Sequence, residues 1–203
     1  MKKLYPIEIT LLLTVALLLA SGASALHTQE ELSEKVVRLH VLANSDSEED
    51  QALKLLVRDA VLDTATKRLA GVADRGEAAQ RLYEILPELQ CMAEQVIQSQ
   101  GYAYPVRTEV APVDFPTKTY DGFSLPAGEY LALRVLIGEA AGQNWWCVVF
   151  PPLCTAVTAD VPLAALSAGL TEEQVALITE ESPQYVLKFK SVELWERIRA
   201  AIS

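Results

Sequence analysis

The sequence predicts a single α+β domain, a mixed or mostly antiparallel sheet with helices packed against it. Three observations carry that reading. Tyr130 to Ile137 and Trp145 to Phe150 are rich in β-branched and aromatic residues and are bounded by Gly or Pro, as strands are. Two earlier stretches repeat apolar residues at three- and four-residue spacing, as helices with one covered face do. The patterns follow one another as β-α-α-β-β-β-α-β-α with no internal repeat, low-complexity tract or linker, which fits one mixed domain. A chain of 203 residues is long enough to bury a substantial core in a single domain.

Hydrophobic content of 51% is ordinary for a globular protein with a leader attached. The formal net charge of −10 makes nucleic acid and anionic lipid surfaces poor partners, because both reward clustered Lys and Arg. No block of like charge is long enough for an interaction tail, so the acidity reads as a solvated surface.

Lys2 and Lys3 precede an apolar segment from Ile9 to Ala20, and Ala23-Ser24-Ala25 follows. That is the n-region, h-region and cleavage signal of a secretory leader covering 1–25, with cutting expected after Ala25. The apolar part falls short of the roughly 20 residues that span a bilayer, although an uncleaved anchor is the alternative. Residues 26–203 form the working domain, outside the cytoplasm on either reading.

The first strand is expected from Val36 to Ala43. Asn44, Ser45, Asp46 and Ser47 are all helix-capping types, and Glu48, Glu49 and Asp50 suit a first helical turn. The helix should run to about Leu69 with Leu53, Leu56, Val57, Ala60 and Val61 inward, and Asp50–Lys54 and Asp63–Lys67 as pairs on its wet side. After a break from Gly71 to Gly76, a second helical region turns Leu82, Ile85, Leu86, Leu89, Met92, Ala93, Val96 and Ile97 inward. Pro87 should kink or divide it, Cys91 should join its apolar side, and Gly101 should end it.

Tyr104 to Val113 alternates as a strand and leads into the turn-rich FPTKTYDGFSLPAGEY. Lys118, Tyr120 and Phe123 cost stability there unless they pack or bind. The connection GEAAGQN carries Gly and Asn suited to positive φ, so the strands on either side of it are expected to pair as a central hairpin. Pro151 and Pro152 stop the second of them. Val157 to Leu170 has no decisive pattern, and Thr171-Glu172-Glu173-Gln174 is a capping box. A strand from Tyr185 to Lys190 and a helix from Val192 to Ile202 burying Val192, Trp195 and Ile198 complete the chain.

Chemistry-bearing residues are few. Cys147 and Cys154 flank the Pro-Pro turn, and in an exported protein they are candidates for a disulfide, the alternative being two buried thiols. Cys147 with His40 and Asn44 has the composition of a cysteine hydrolase, but Cys147 lies inside an apolar strand rather than at a helix N-terminus. His40 reads as a hydrogen-bonded structural residue. With two His and no zinc-like spacing, neither a metal nor another cofactor is expected. A recognition surface remains. Gln143, Asn144, Trp145 and Trp146 put two large aromatics beside two amides, and at most one Trp of an adjacent pair can face the core of a regular strand.

The runs RLHVLANSDSEEDQALK, FPTKTY, LPAGEY, GQNWWCV, FPPLC and YVLKFKSVELWE together resemble stage II sporulation protein R of endospore-forming bacteria. The resemblance covers nearly everything after the leader. It implies a protein exported from the forespore into the space between forespore and mother cell. There it would signal to a membrane-embedded aspartic protease that processes pro-sigma-E, without being an enzyme and touching membrane only through its leader or its partner. On that reading the candidate contact residues are Gln143, Asn144, Trp145 and Trp146, with His40, Asn44 and Asp46 adjoining. An extracytoplasmic cysteine-dependent hydrolase of peptide or cell wall is the alternative.

Overall fold

The sheet is organised around its first strand. The computed structural model describes residues 8–14, 27, 29–154 and 160–179. Its strands are β1 (Val37–Leu42), β2 (Val106–Phe115), β3 (Lys118–Tyr120), β4 (Phe123–Leu125), β5 (Gly128–Ile137) and β6 (Asn144–Phe150). The helices are α1 (Glu48–Arg68), α2 (Arg75–Ser99), α3 (Val161–Ser167) and α4 (Glu172–Thr179). Among the described residues a mixed four-stranded sheet has the order β2-β5-β1-β6, with β1 parallel to β5 and antiparallel to β6. This is the α+β domain that the sequence predicts.

The expected central hairpin is not formed, because β1 lies between β5 and β6. The connection after β5 crosses the end of β1 instead of folding back. Ala141 N–H donates to Asn44 O at 3.2 Å and Gly142 N–H to Ala43 O at 3.0 Å. Positive φ does occur where the composition asks for it, at Gly138 (57°), but it turns the chain over a neighbouring strand. The long hairpin is β2–β5, with an unbroken register from Val106↔Ile137 to Phe115↔Gly128. The turn-rich segment at its tip forms the small β3–β4 ladder. The sequence pattern did not include these two short strands.

Ser47 caps α1, its hydroxyl accepting from Asp50 N–H, and Leu53, Val57 and Val61 are buried as expected. Leu56 is 45% exposed and belongs to the solvent face instead. Lys67 pairs with Asp63 at 2.7 Å on the wet side, whereas Asp50 and Lys54 are both buried and hydrogen-bond elsewhere. Asp74 caps α2, so Arg75 and Gly76 are already helical. The helix runs through Pro87 undivided. A lost bond and ring clash cost about 3 kcal/mol, which the stripe Leu82, Ile85, Leu89, Ala93 and Ile97 outweighs by packing on the sheet from both sides of the proline. Cys91 falls off that stripe and is exposed, contrary to expectation. Gly101, at φ 83°, ends α2 with Gly101 N–H bonded to Gln98 O and Tyr102 N–H to Ile97 O.

Alternation along β1 makes the layers. Val37, Leu39 and Val41 face α1 and α2, while the opposite face packs against the β3–β4 ladder, α3 and α4 around Phe115, Phe123, Tyr130 and Val148. The capping box forms as expected, with reciprocal Thr171–Gln174 bonds at 3.0 and 3.2 Å. Cys147 and Cys154 form a disulfide, with Cα atoms 6.2 Å apart. The Tyr185–Lys190 strand, the Val192–Ile202 helix and the leader's charged and cleavage residues lie outside the described residues. Among the described residues no helix is long and apolar enough to cross a membrane.

Candidate functional site

β6 is an edge strand among the described residues, and its first residues lie beside the end of β1. Trp145 and Trp146 point to opposite faces, as adjacent strand residues must, and both are half-buried. Trp145 lies toward α1, where the Arg58 guanidinium stacks 4.3 Å above its ring. Its Nε1 has no acceptor among the described residues. Trp146 stacks on His40, with centroids 3.9 Å apart and an 18° tilt, and touches Phe115 at 4.5 Å. Neither tryptophan is wholly core or wholly free.

His40 is buried and its Nε2 lies 2.7 Å from Asn144 Oδ1, an arrangement in which Nε2–H donates to the amide oxygen. Burial pushes its pKa below the ordinary value, the Asn144 bond opposes this, and Arg134 adds to the lowering. The unfolded chain therefore takes up the proton first. This contribution to stability is complete above the ordinary value of 6.5 and is lost as pH falls from there through the lower folded value. Urea midpoints should drop between pH 7.5 and 5.5, and His40→Gln should flatten that slope. An unchanged slope would remove His40 from the acid response.

The other expected residues divide by role. Gln143 is exposed, and its backbone carbonyl accepts from Lys54 Nζ at 2.9 Å. Asn44 is a bracket: its Nδ2 donates to Asp50 at 2.8 Å while its Oδ1 accepts from Glu139 N–H at 3.0 Å. Burial alone would raise the Asp50 pKa, but hydrogen bonds from Ser45, Asn44 and Tyr104 hold it below the usual value. Burial likewise lowers Lys54, and exposed Asp46 nearby opposes that shift. The structure thus gathers Gln143, Asn144, Trp145, Trp146 and His40 at one edge, with Asn44 and Asp46 in the loop that supports it.

Arg38 is the residue that sequence reasoning missed. It is fully buried, its Nη2 donates to the Tyr120 hydroxyl at 2.6 Å and its Nε to Cys147 O at 3.4 Å. The guanidinium sits 4.1 Å from the Phe115 ring centroid and 5.0 Å from that of Tyr130. None of the ion pairs among the described residues includes it. Desolvation lowers its pKa, and the same burial raises that of Tyr130. The signal was present in VRLHVL, where a cation and an imidazole alternate with apolar residues on one face of a strand.

Along the β6 edge, α1 and the β3–β4 ladder form the walls of an open trough. One part, of about 640 Å³, lies against Gln143–Trp146, and a second of about 530 Å³ continues past the disulfide. Tyr120 and Trp145 line both. Cys147 is 2% exposed, bonded to Cys154, and faces the helices, whereas His40 faces the opposite layer. No Cys–His couple forms here. Among the described residues no group of three His, Cys, Asp or Glu is placed to hold a metal ion.

Residues 33–160 match the model of the family described as Stage II sporulation protein R. The chain belongs to that family. It is also 38% identical over 148 residues to Stage II sporulation protein R of Bacillus subtilis (strain 168), a match covering 68% of this chain and 66% of the relative, just under two thirds of its length. No solved structure matches the chain. The family region takes in β1 through β6, the disulfide and every candidate residue discussed above, and stops just before α3.

Proposed function

We propose that this protein is a secreted ligand that activates a membrane-embedded aspartic protease, triggering processing of pro-sigma-E in the mother cell during sporulation. It acts from the space between forespore and mother cell. Family membership supports the sporulation role, and one structural observation supports the ligand reading. Two half-buried tryptophans and two amides flank a strand edge that is unpaired among the described residues and lies inside a trough, an arrangement suited to gripping a protein rather than to enclosing a reaction. A ligand of this kind works by binding the active state of its target more tightly than the idle state. Moving a target from almost all idle to almost all active takes about 5.5 kcal/mol of such preference.

The test is co-expression of the protease and tagged pro-sigma-E in a non-sporulating host, with and without this protein, read as processing on a gel. Processing is expected only when the protein is present, and Trp145→Ala or Trp146→Ala should lower it at least about tenfold. Paired Cys147→Ser and Cys154→Ser should leave activity in proportion to the folded protein that remains. Loss with Cys147→Ser alone, in folded protein, would favour the cysteine hydrolase. Processing that ignores the added protein would end the ligand reading.

A further inference from the structure

We infer that the Asn144–Trp146 edge of β6 takes an extended, carboxylate-bearing segment of the protein partner as an added strand. This rests on the ligand reading above and specifies how the contact is made. The register of β6 against β1 is regular from Leu42↔Asn144 to Arg38↔Val148. In such a ladder the backbone groups of alternate residues point to the same side. Val148 N–H faces away from β1, since it donates to Cys154 Sγ at 3.2 Å. By alternation, the backbone groups of Trp146 and Asn144 face that same side, where no strand lies among the described residues. The disulfide loop thus closes the edge at Val148, and no strand among the described residues pairs with the part before it. An extended backbone matches that two-residue repeat, as in other strand-addition complexes.

Charge and shape identify the occupant. The trough beside Asn144–Trp146 is lined by Lys54 and Lys118 and by no carboxylate, on a chain whose formal net charge is −10. Lys54 already donates to Gln51 and to the Gln143 carbonyl, and Lys118 is in none of the ion pairs among the described residues. An acidic side chain on the incoming strand meets Lys118 at the trough wall, and its neighbours rest against Trp145 or Trp146. A second copy of this chain is a poorer occupant. Two molecules of like net charge would have to bring their lysine-lined edges together.

Hydrogen–deuterium exchange of the full chain, alone and in complex with the detergent-solubilised protease, tests this. The amides of Asn144 and Trp146 should slow at least tenfold in the complex. Lys118→Glu should weaken the complex at least tenfold and Lys118→Arg should restore it. Asn144→Pro, which deletes one outward N–H, should abolish it while thermal melting shows folded protein. A complex in which both amides exchange as in the free chain would overturn the inference and leave the ligand reading intact. Slowing in the chain alone that grows with its own concentration would replace it with self-pairing. Absence of any complex would remove the proposed function and the inference with it.

Discussion

Gly142→Ala is expected to cost more than about 3 kcal/mol, above what an ordinary substitution does. A Cβ at this position would overlap the backbone carbonyl of Ser45 and press on the Ala43 side chain at 3.0 Å. The Ser45 backbone has little room to withdraw, because it belongs to the short loop that ends β1 and leads into α1. Relief requires lifting the crossing loop, which breaks the Ala141–Asn44 and Gly142–Ala43 bonds, or moving the loop that holds the Asp50 network. The same loop delivers Gln143 and Asn144 to the edge, so binding should fall even in the fraction that folds. Urea unfolding followed by circular dichroism measures the cost. A loss below 1 kcal/mol would mean that the loop does not lie against β1 as closely as described.

The same crossing shows where the sequence stopped being legible. Among the described residues, the expected strands, the Ser47 cap and the α2 terminus follow from local chemistry, and they formed where the pattern placed them within a few residues. The partner of a strand is not local. Nothing in GEAAGQN distinguishes a tight reversal from a step across a third strand, because both use positive φ at Gly138. Helix periodicity had a similar limit. It assigned Asp50 and Lys54 to the wet side by spacing, but Asn44 and Ser45 arrive from outside the helix to satisfy Asp50, and Gln143 arrives to satisfy Lys54. Leu56 went the other way, since the sheet covers the stripe of Leu53, Val57 and Val61 and leaves it at the boundary. Of the site, the two tryptophans and amides were readable from residue type, and the edge beside them, unpaired among the described residues, was not. That edge exists because β1 occupies the other side of β6.

Arg38 gives the second large effect, and it separates stability from binding. Its cation is desolvated, its Nη1 has no partner among the described residues, and its support is three aromatic rings, the Tyr120 hydroxyl and the Cys147 carbonyl. Arg38→Ala would empty the space between Phe115, Tyr130 and Tyr120, and large-to-small changes of this kind cost about 3–5 kcal/mol. Arg38→Met keeps an apolar stem among those rings and removes the desolvated charge. Replacing buried charge with packed apolar atoms is often neutral or stabilising, so the expected change is within about 1 kcal/mol. Yet methionine cannot donate to the Tyr120 hydroxyl, and Tyr120 lines both parts of the trough. Arg38→Met should therefore melt near the parent temperature while processing of pro-sigma-E falls several-fold. Arg38→Ala should lose both. Equal destabilisation by Met and Ala would show that the cation itself holds the fold, and full processing with Met would show that Tyr120 keeps its place in the wall without Arg38.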